Sequence, residues 1–435
     1  MKRLIAPIFI FFATLCCLAG NYPDRSDGLW VTVPDHADWI YQCGQPATID
    51  IQFYEYGIPA DGLEVEYEIA DDLMKPDKSG KLTLKNGHAS LNIGTMKKSG
   101  FRDLRLKIAI GDRKFAHHVK VGFSPEKIEP YTKLPKDFNE FWEANKAELA
   151  KTPLKYEITP VEKYTTDKVK TYLVKLYLNS QKQSIYGYLM IPADAKPGSC
   201  PAVLCPPGAG IKTIKNIENQ LEYANNGFIR FATEIHGLNP ELTDQQFDEI
   251  SRAFNGRENG YLSNNLDDRD NYYMKRVYLS LIRSVDFLSQ LPEWDGRNMV
   301  IQGGSQGGAL SIVGAALDPR ITLCVANHPA LADMARFRIN EADGYPHFSR
   351  VEGMDTDDKV ATMAYYDVVN FARNLKTPLY MTWGYNDDTC PPTTSYAVWN
   401  VVTSPKESLL TPINEHWTSK MTNTNQIHWI KSHLK

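Results

Sequence analysis

The stretch MVIQGGSQGGAL, residues 299–310, places Ser305 among four glycines directly after a short apolar run. Glycine interrupts regular structure at a conformational cost, so such a cluster needs a steric reason. Gly303 to Gly307 match the pattern G-x-S-x-G, whose small residues let a strand and the following helix pass closely. The stretch therefore predicts a sharp strand–turn–helix that exposes Ser305. The alternative is a loop that merely turns.

The segments around this stretch alternate between buried strands and helices. Residues 273–288 carry apolar side chains at helical spacing. Short and almost continuously apolar runs, as expected of strands buried on both faces, are PAVLC, GFIRFATE, NMVIQ, ITLCVA and TPLYMTW. The alternation predicts a mostly parallel sheet flanked by helices.

A serine nucleophile needs a base, and the base needs an acid that orients it. In strand–turn–helix sites of this kind, the acid and then the histidine follow the serine on loops after later strands. Asp387 and Asp388 follow the run TPLYMTW, and His416 follows KESLLTPI. We predict His416 as the base and Asp387 as the acid, with Asp388 as the alternative. His328 also follows a strand but precedes both acids, which is the wrong order.

Attack by a hydroxyl on a carbonyl leaves negative charge on oxygen, and backbone amides can stabilise it. The amide of Gln306, at the start of the predicted helix, is one expected donor. The loop PPGAG after the strand PAVLC offers the second. Because Pro206 and Pro207 carry no amide hydrogen, that donor is Gly208 or Ala209. A tight turn without a role is the alternative for this loop.

Residues 1–20 have the layout of a secretory signal peptide. Two basic residues precede an apolar run that ends in small residues, so we expect cleavage near Ala19 or Gly20. The run is shorter than the ~20 residues of a spanning helix, and no later stretch is long and apolar enough. We expect a secreted or periplasmic protein without a stable membrane span. Cys16 and Cys17 make a lipoprotein the minor alternative.

The chain after this leader is predicted to form two parts. Alternating segments between Leu29 and Phe123 predict strands without helices. Asn86-Gly87 between two of them favours a hairpin, because both turn positions favour positive φ. We predict a small immunoglobulin-like β-sandwich over residues 21–125, a proline-containing linker over 126–135 and an α/β domain over 136–435. Asp137 and Glu140 predict a capping box at the first helix of that domain.

Composition narrows the classes of partner. The chain is 43% hydrophobic and 23% charged, with a formal net charge of −4. This balance is typical of a soluble globular protein and provides no general attraction to nucleic acid. A small or uncharged substrate fits it better. The cysteines beyond the leader are scattered without metal-type spacing, so we expect buried thiols and no metal site.

Several stretches in register resemble the acetyl xylan esterase / cephalosporin C deacetylase family, carbohydrate esterase family 7. They are the helix entry DFNEFW, residues 272–310, YYDVVNFARNLKTPLYMTWGYNDDTCPPTTSYAVWN and PKESLLTPINEHW. The family's G-x-S-Q-G falls on Gly303 to Gly307, its aspartate on Asp387 and its histidine on His416. The resemblance implies an α/β-hydrolase fold, no metal or organic cofactor, and action on O-acetyl groups of sugars.

The chain departs from that family at a few positions. His236-Gly237-Leu238 replaces the Arg-Gly-Gln motif, Trp417 replaces the glutamate after the histidine, and Pro207 lies near an expected tyrosine. The N-terminal sandwich is an addition. Family members usually form a ring-shaped hexamer, so the resemblance implies a homo-oligomer as one expectation for this chain.

We therefore expect a secreted serine esterase that removes O-acetyl groups from acetylated xylan, xylo-oligosaccharides or related sugars. One alternative is a serine hydrolase of the same fold with another ester or a peptide as substrate. Another is a catalytically inert glycan-binding protein whose sandwich aromatics stack on sugar: Trp30, Trp39, Tyr54 and Tyr56.

Overall fold

The computed structural model describes residues 27–179, 183–253 and 260–435. The expected signal peptide, residues 1–20, lies outside these ranges. Within them, no helix combines the length and the apolar character that crossing a membrane requires.

The N-terminal part is all β and consists of two sheets that share one core. Its strands are β1 (Gly28–Pro34), β2 (Ile40–Tyr41), β3 (Ala47–Glu55), β4 (Ile58–Pro59), β5 (Glu64–Asp71), β6 (Lys78–Thr83), β7 (His88–Gly94), β8 (Gly100–Ile110) and β9 (Arg113–Phe123). One sheet joins β1, β3, β4 and β7, and the other has the order β2-β9-β8-β5-β6. Alternating apolar residues bury one face of each sheet, as Ile51 and Phe53 of β3 and Leu104 of β8 do. The predicted all-β sandwich is confirmed, although the short β2 pairs in parallel with β9.

The turn at Asn86-Gly87 has the predicted local geometry, with φ of 54° and 73°. Its arms separate beyond a single bridge between Lys85 and His88. Strand β6 pairs with β5 in one sheet, whereas β7 pairs with β3 in the other. The hairpin prediction is therefore wrong. Local φ preferences set the turn, but burial against distant strands decides where each arm pairs.

The second part of the described chain is a nine-stranded sheet flanked by helices, with strand order β10-β11-β12-β14-β13-β15-β16-β17-β18. Its strands are β10 (Tyr156–Pro160), β11 (Val169–Tyr177), β12 (Ser184–Pro192), β13 (Cys200–Cys205), β14 (Ile229–Thr233), β15 (Trp294–Gly304), β16 (Leu323–Asn327), β17 (Leu379–Trp383) and β18 (Lys406–Leu410). Its α-helices are α1 (Phe138–Ala150), α2 (Glu222–Asn225), α3 (Asp244–Ala253), α4 (Tyr273–Leu288), α5 (Gln306–Leu317), α6 (Asp357–Tyr366), α7 (Val368–Asn374), α8 (Pro392–Val401) and α9 (Lys420–His433). At one edge, β10, β11 and β12 pair in antiparallel fashion. The other six strands, β13 to β18, are parallel to one another.

The parallel strands β15, β16, β17 and β18 are successive neighbours in this sheet. Their carboxyl ends therefore meet at one edge, where binding crevices of open α/β sheets lie. The loops that leave these ends carry Ser305, His328, Asp387 and His416 in that order. The topology brings together residues that are far apart in the sequence.

Helix α1 begins at Phe138, as the sequence indicates, but its cap differs from the prediction. Asp137 occupies the N-cap position without a side-chain bond to the helix. Its carboxylate instead accepts a hydrogen bond from Arg269 Nη1 at 2.8 Å and another from the hydroxyl of Tyr365. The capping-box prediction is wrong because partners distant in the sequence compete for this carboxylate.

The sandwich docks on the second part through β8 and β9. Phe101 belongs to the large core of the second part, with ring centroids 5.0 Å from Tyr385 and 5.6 Å from Tyr396. Nearby, buried Asp72 accepts a 2.7 Å hydrogen bond from the hydroxyl of Thr393. The docking surface therefore lies against helix α8 and the loop that follows β17.

Candidate active site

Ser305 lies in a strained turn between β15 and α5. Its φ of 58° and ψ of −123° fall in a region that residues with a side chain rarely adopt. Neighbouring glycines allow the turn: a Cβ on Gly303 would lie 2.5 Å from the Gly307 carbonyl oxygen, and one on Gly308 would lie 2.4 Å from the Asn327 carbonyl oxygen. Gly303 and Gly308 are thus required for the close passage of strands and helix, which presents Ser305 at the end of β15.

Helix α5 fixes this turn in place because it is buried along nearly its whole length. A helix that is apolar on all sides is stable only inside a core. Its amino terminus starts immediately after Ser305, so the first-turn amides point towards the serine without intrahelical partners. The positive end of the helix dipole favours negative charge at that place.

Asp387 follows β17 and is fully buried. Its Oδ1 accepts hydrogen bonds from the amides of Thr389 and Cys390, both at 2.8 Å, and its Oδ2 lies 2.8 Å from Nδ1 of His416. Burial raises the pKa of Asp387, but the hydrogen bond and charge of His416 outweigh it, and the net pKa lies below the ordinary 3.8. The carboxylate is therefore ionised and accepts the Nδ1–H of His416.

Asp388, the alternative acid, points elsewhere. Its carboxylate lies 2.6 Å from Nζ of Lys120, a residue of strand β9 in the sandwich, and its side chain is 54% exposed. The structure thus brings Asp387 and not Asp388 to His416. The imidazole of His416 is itself 28% exposed, whereas Asp387 is fully buried.

The thiol of Cys390, three residues after Asp387, lies beside the Ser305 side chain. Burial raises the pKa of this thiol well above its usual value, and the nearby Ser305 hydroxyl opposes that rise only in part. A thiol held protonated is a poor nucleophile. Cys390 therefore serves as packing that lies between the serine turn and the Asp387 loop.

His328, whose place in the chain order does not suit the base, also belongs to this site. It follows β16, between the strands of Ser305 and Asp387, and its ring centroid lies 4.4 Å from that of His416. Burial lowers its pKa to about 4, and His416 adds to this effect, so the imidazole is neutral near neutral pH. The sequence feature that points to His328 is its position directly after a strand. Chain order excluded it, but chain order constrains only the residue that acts as the base.

The nitrogens and carboxylate oxygens of His328, Asp387 and His416 lie within 4.8 Å of one another, close enough to hold a metal ion. Asp387 and His416 already hydrogen-bond each other, through Oδ2 and Nδ1. This arrangement is typical of proton transfer.

The predicted oxyanion donors lie beside the serine turn. Gly208 approaches the Gly304 carbonyl oxygen, which lies 4.0 Å from where a Cβ on Gly208 would be. Within the described chain, no backbone carbonyl accepts a hydrogen bond from the amides of Gly208 or Ala209. The amide of Gln306 is the first of helix α5.

Two further side chains hold the Gly208–Gly210 loop. The hydroxyl of Tyr261 accepts a 3.2 Å hydrogen bond from the Gly210 amide and donates a 2.6 Å bond to Oε1 of Gln306. His236, which replaces the family's arginine, has Nε2 3.2 Å from the Gly210 carbonyl oxygen and Nδ1 2.7 Å from the hydroxyl of Tyr273. Burial lowers the pKa of His236 to about 4, so the neutral ring donates to one group and accepts from the other. No pattern in the sequence indicates that Tyr261 contributes to the site.

Comparison with known proteins agrees with this fold. The chain matches the acetyl xylan esterase family (AXE1) over residues 125–433. It is 58% identical over 434 residues to the acetyl esterase Axe7A of Xylanibacter ruminicola. This alignment covers 100% of the present chain and 97% of Axe7A. The match to Axe7A therefore includes the sandwich, whereas the family match begins after β9.

Solved structures show the same fold. The acetyl xylan esterase from Paenibacillus sp. R4 is similar with a TM-score of 0.62 and 26% identity, over 71% of this chain and 98% of that one. Acetyl xylan esterase 1 from Thermoanaerobacterium sp. JW/SL YS485 has a TM-score of 0.62 at 21% identity, over 72% and 98% of the two chains. The chain therefore belongs to the acetyl xylan esterase family and is a carboxylic ester hydrolase with an α/β-hydrolase fold.

Proposed function

We propose that this chain is an exported serine esterase that removes acetyl groups from acetylated xylan or xylo-oligosaccharides. The observation that carries the proposal is the bond between Asp387 and His416 at the strand edge that also holds the strained Ser305 turn. The names of the relatives, acetyl esterase and acetyl xylan esterase, support the acetyl group and the sugar. The basic and apolar start of the sequence supports export.

In the proposed reaction, the Ser305 oxygen attacks the acetyl carbonyl carbon while Nε2 of His416 accepts the hydroxyl proton. The ionised carboxylate of Asp387 holds the Nδ1–H tautomer and stabilises the imidazolium that forms. The amides of Gln306 and of Gly208 or Ala209 stabilise the oxyanion, at a helix terminus that favours negative charge.

The tetrahedral intermediate then loses the sugar oxygen, which takes the proton from His416, and an acetyl-enzyme results. Water attacks this ester with His416 again as the base, and acetate leaves with Ser305 restored. Neutral His328 fits this cycle, because a second positive charge against His416 would oppose formation of the imidazolium.

The test is acetate release from acetylated xylo-oligosaccharides by residues 21–435, with Ser305→Ala beside it. Ser311→Ala is the matched control, because Ser311 lies on the same helix and its hydroxyl bonds the Gly307 carbonyl within that helix. We expect Ser305→Ala to lose essentially all release and Ser311→Ala to retain most of it. Serine-dependent cleavage of 4-nitrophenyl acetate without release from sugar would refute the substrate and keep the chemistry. Cleavage of neither compound would favour a glycan-binding protein.

A further inference from the structure

A lysine of the sandwich reaches the loop that carries Asp387. Lys120 lies in β9 and is fully buried. Its ammonium nitrogen lies 3.1 Å from the Asp387 carbonyl oxygen, 2.6 Å from Oδ1 of Asp388 and 2.9 Å from Oδ1 of Asp72. Its amide also donates a 2.9 Å hydrogen bond to Oδ1 of Asn386. The same residue thus contacts three successive positions of the loop after β17.

The ammonium donates hydrogen bonds to the Asp387 carbonyl oxygen and to Oδ1 of Asp388, and it forms an ion pair with the buried carboxylate of Asp72. Burying an unpaired ammonium is costly, whereas carboxylates at hydrogen-bond distance compensate for the lost solvation. Burial lowers the pKa of Lys120, but Asp72 and Asp388 outweigh it, and the net shift is upwards. The lysine is therefore charged and held on both sides, by Asp72 of the sandwich and by the loop of the second part.

The orientation of the Asp387 carboxylate depends on the backbone of this loop. Its Oδ1 is held by the amides of Thr389 and Cys390, and Lys120 holds the carbonyl of Asp387 itself. Strand β9 also approaches the other active-site loop, since Nε2 of His118 lies 3.9 Å from a carboxylate oxygen of Glu415, the neighbour of His416. Both loops of the acid–base pair therefore border one strand of the sandwich.

We propose that Lys120 is a positioning residue through which the sandwich sets the orientation of the Asp387 loop towards His416. The inference rests on the proposed Ser305–His416–Asp387 chemistry and assigns a role to the sandwich in it. The family match begins at residue 125, after Lys120, so the matched region alone lacks this contact. A misplacement of about 1 Å in a catalytic group lowers turnover by up to about 100-fold.

The test compares full-length variants with 4-nitrophenyl acetate, measuring kcat and KM separately. Lys120→Met alone leaves the buried Asp72 uncompensated, so the second variant is Lys120→Met/Asp72→Asn, which removes both charges. Lys107→Met is the matched control, because Lys107 lies on the neighbouring strand β8 and its side chain is 62% exposed. The low-field proton resonance of the imidazole N–H between His416 and Asp387 reports the orientation directly.

For the double variant we expect kcat to fall about 10- to 100-fold with KM nearly unchanged. We also expect the low-field resonance to be lost and the thermal midpoint to be retained, with Lys107→Met like wild type. A kcat within about twofold of wild type, a retained resonance or a double variant that does not fold would each overturn the proposal. Ser305→Ala separates the two hypotheses. If it stays active, the proposed function itself fails, whereas an inactive Ser305→Ala beside a fully active double variant refutes only the role of Lys120.

Discussion

Replacing Asp387 by asparagine should stop catalysis by changing the tautomer of His416. In the native protein, Oδ1 of Asp387 accepts two amide hydrogen bonds at 2.8 Å, from Thr389 and Cys390. An asparagine must keep its carbonyl oxygen at this position, because its NH₂ group cannot accept those bonds. The NH₂ group then takes the place of Oδ2, 2.8 Å from Nδ1 of His416.

An NH₂ group at that position donates to Nδ1, so the imidazole proton moves to Nε2. The nitrogen that should receive the Ser305 proton is then already protonated. For a triad that loses its carboxylate in this way, the loss in kcat is about 10⁴-fold, or ~5 kcal/mol of transition-state stabilisation. We expect this loss for Asp387→Asn in steady-state hydrolysis of 4-nitrophenyl acetate, with KM changed little.

Asp388→Asn is the matched control for this experiment. Its side chain is 54% exposed and pairs with Lys120 rather than with His416, so its loss leaves the tautomer of His416 unchanged and should lower kcat far less than Asp387→Asn does. An Asp387→Asn variant that keeps kcat within tenfold of wild type would refute the tautomer argument. If Asp388→Asn instead lost activity about 10⁴-fold, the role of the acid would pass to Asp388.

Three further predictions concern the frame of the site. Gly308→Ala places a Cβ 2.4 Å from the Asn327 carbonyl oxygen, so the free energy of unfolding should fall by about 1–3 kcal/mol in urea titrations. Unchanged stability would contradict this packing argument. Tyr261→Phe removes the hydroxyl that donates a hydrogen bond to Gln306, so kcat should fall about tenfold, which is less than the loss of an oxyanion donor causes. An unchanged kcat would refute the role of Tyr261 in positioning the Gly208–Gly210 loop. Burial of His328 lowers its pKa from 6.5 to about 4, so the folded state binds fewer protons than the unfolded state and loses stability as pH falls through that window. Between pH 7 and pH 5 the unfolding free energy of wild type should fall by about 2 kcal/mol more than that of His328→Gln, and parallel pH profiles would contradict this.

The turn at Ser305 could be predicted because its cause is local. Glycines at fixed positions around one serine are needed whatever the rest of the chain does, and the apolar run before them indicates a strand. The strand-end positions of Asp387 and His416 could be predicted for a related reason. In a parallel sheet, every strand delivers its following loop to the same edge.

The remaining features depend on partners that sequence patterns do not reveal. His328 lies in the site because β16 runs between β15 and β17, and strand order in a sheet follows from packing rather than from chain order. The carboxylate of Asp137 leaves its helix for Arg269 and Tyr365, which are brought near only by the fold. The contact of Lys120 with Asp387 depends on how two separately patterned parts dock.

The ring of Phe101 has a consequence for how this protein loses its structure. Strand β8 is part of the sandwich, yet Phe101 is fully buried in the core of the second part, against Tyr385 and Tyr396. Two parts that share a core cannot separate without exposing it to water, so each stabilises the other. The sandwich and the hydrolase region should therefore unfold as a single cooperative unit, with one heat-capacity peak, and partial loss of either should cost the whole enzyme.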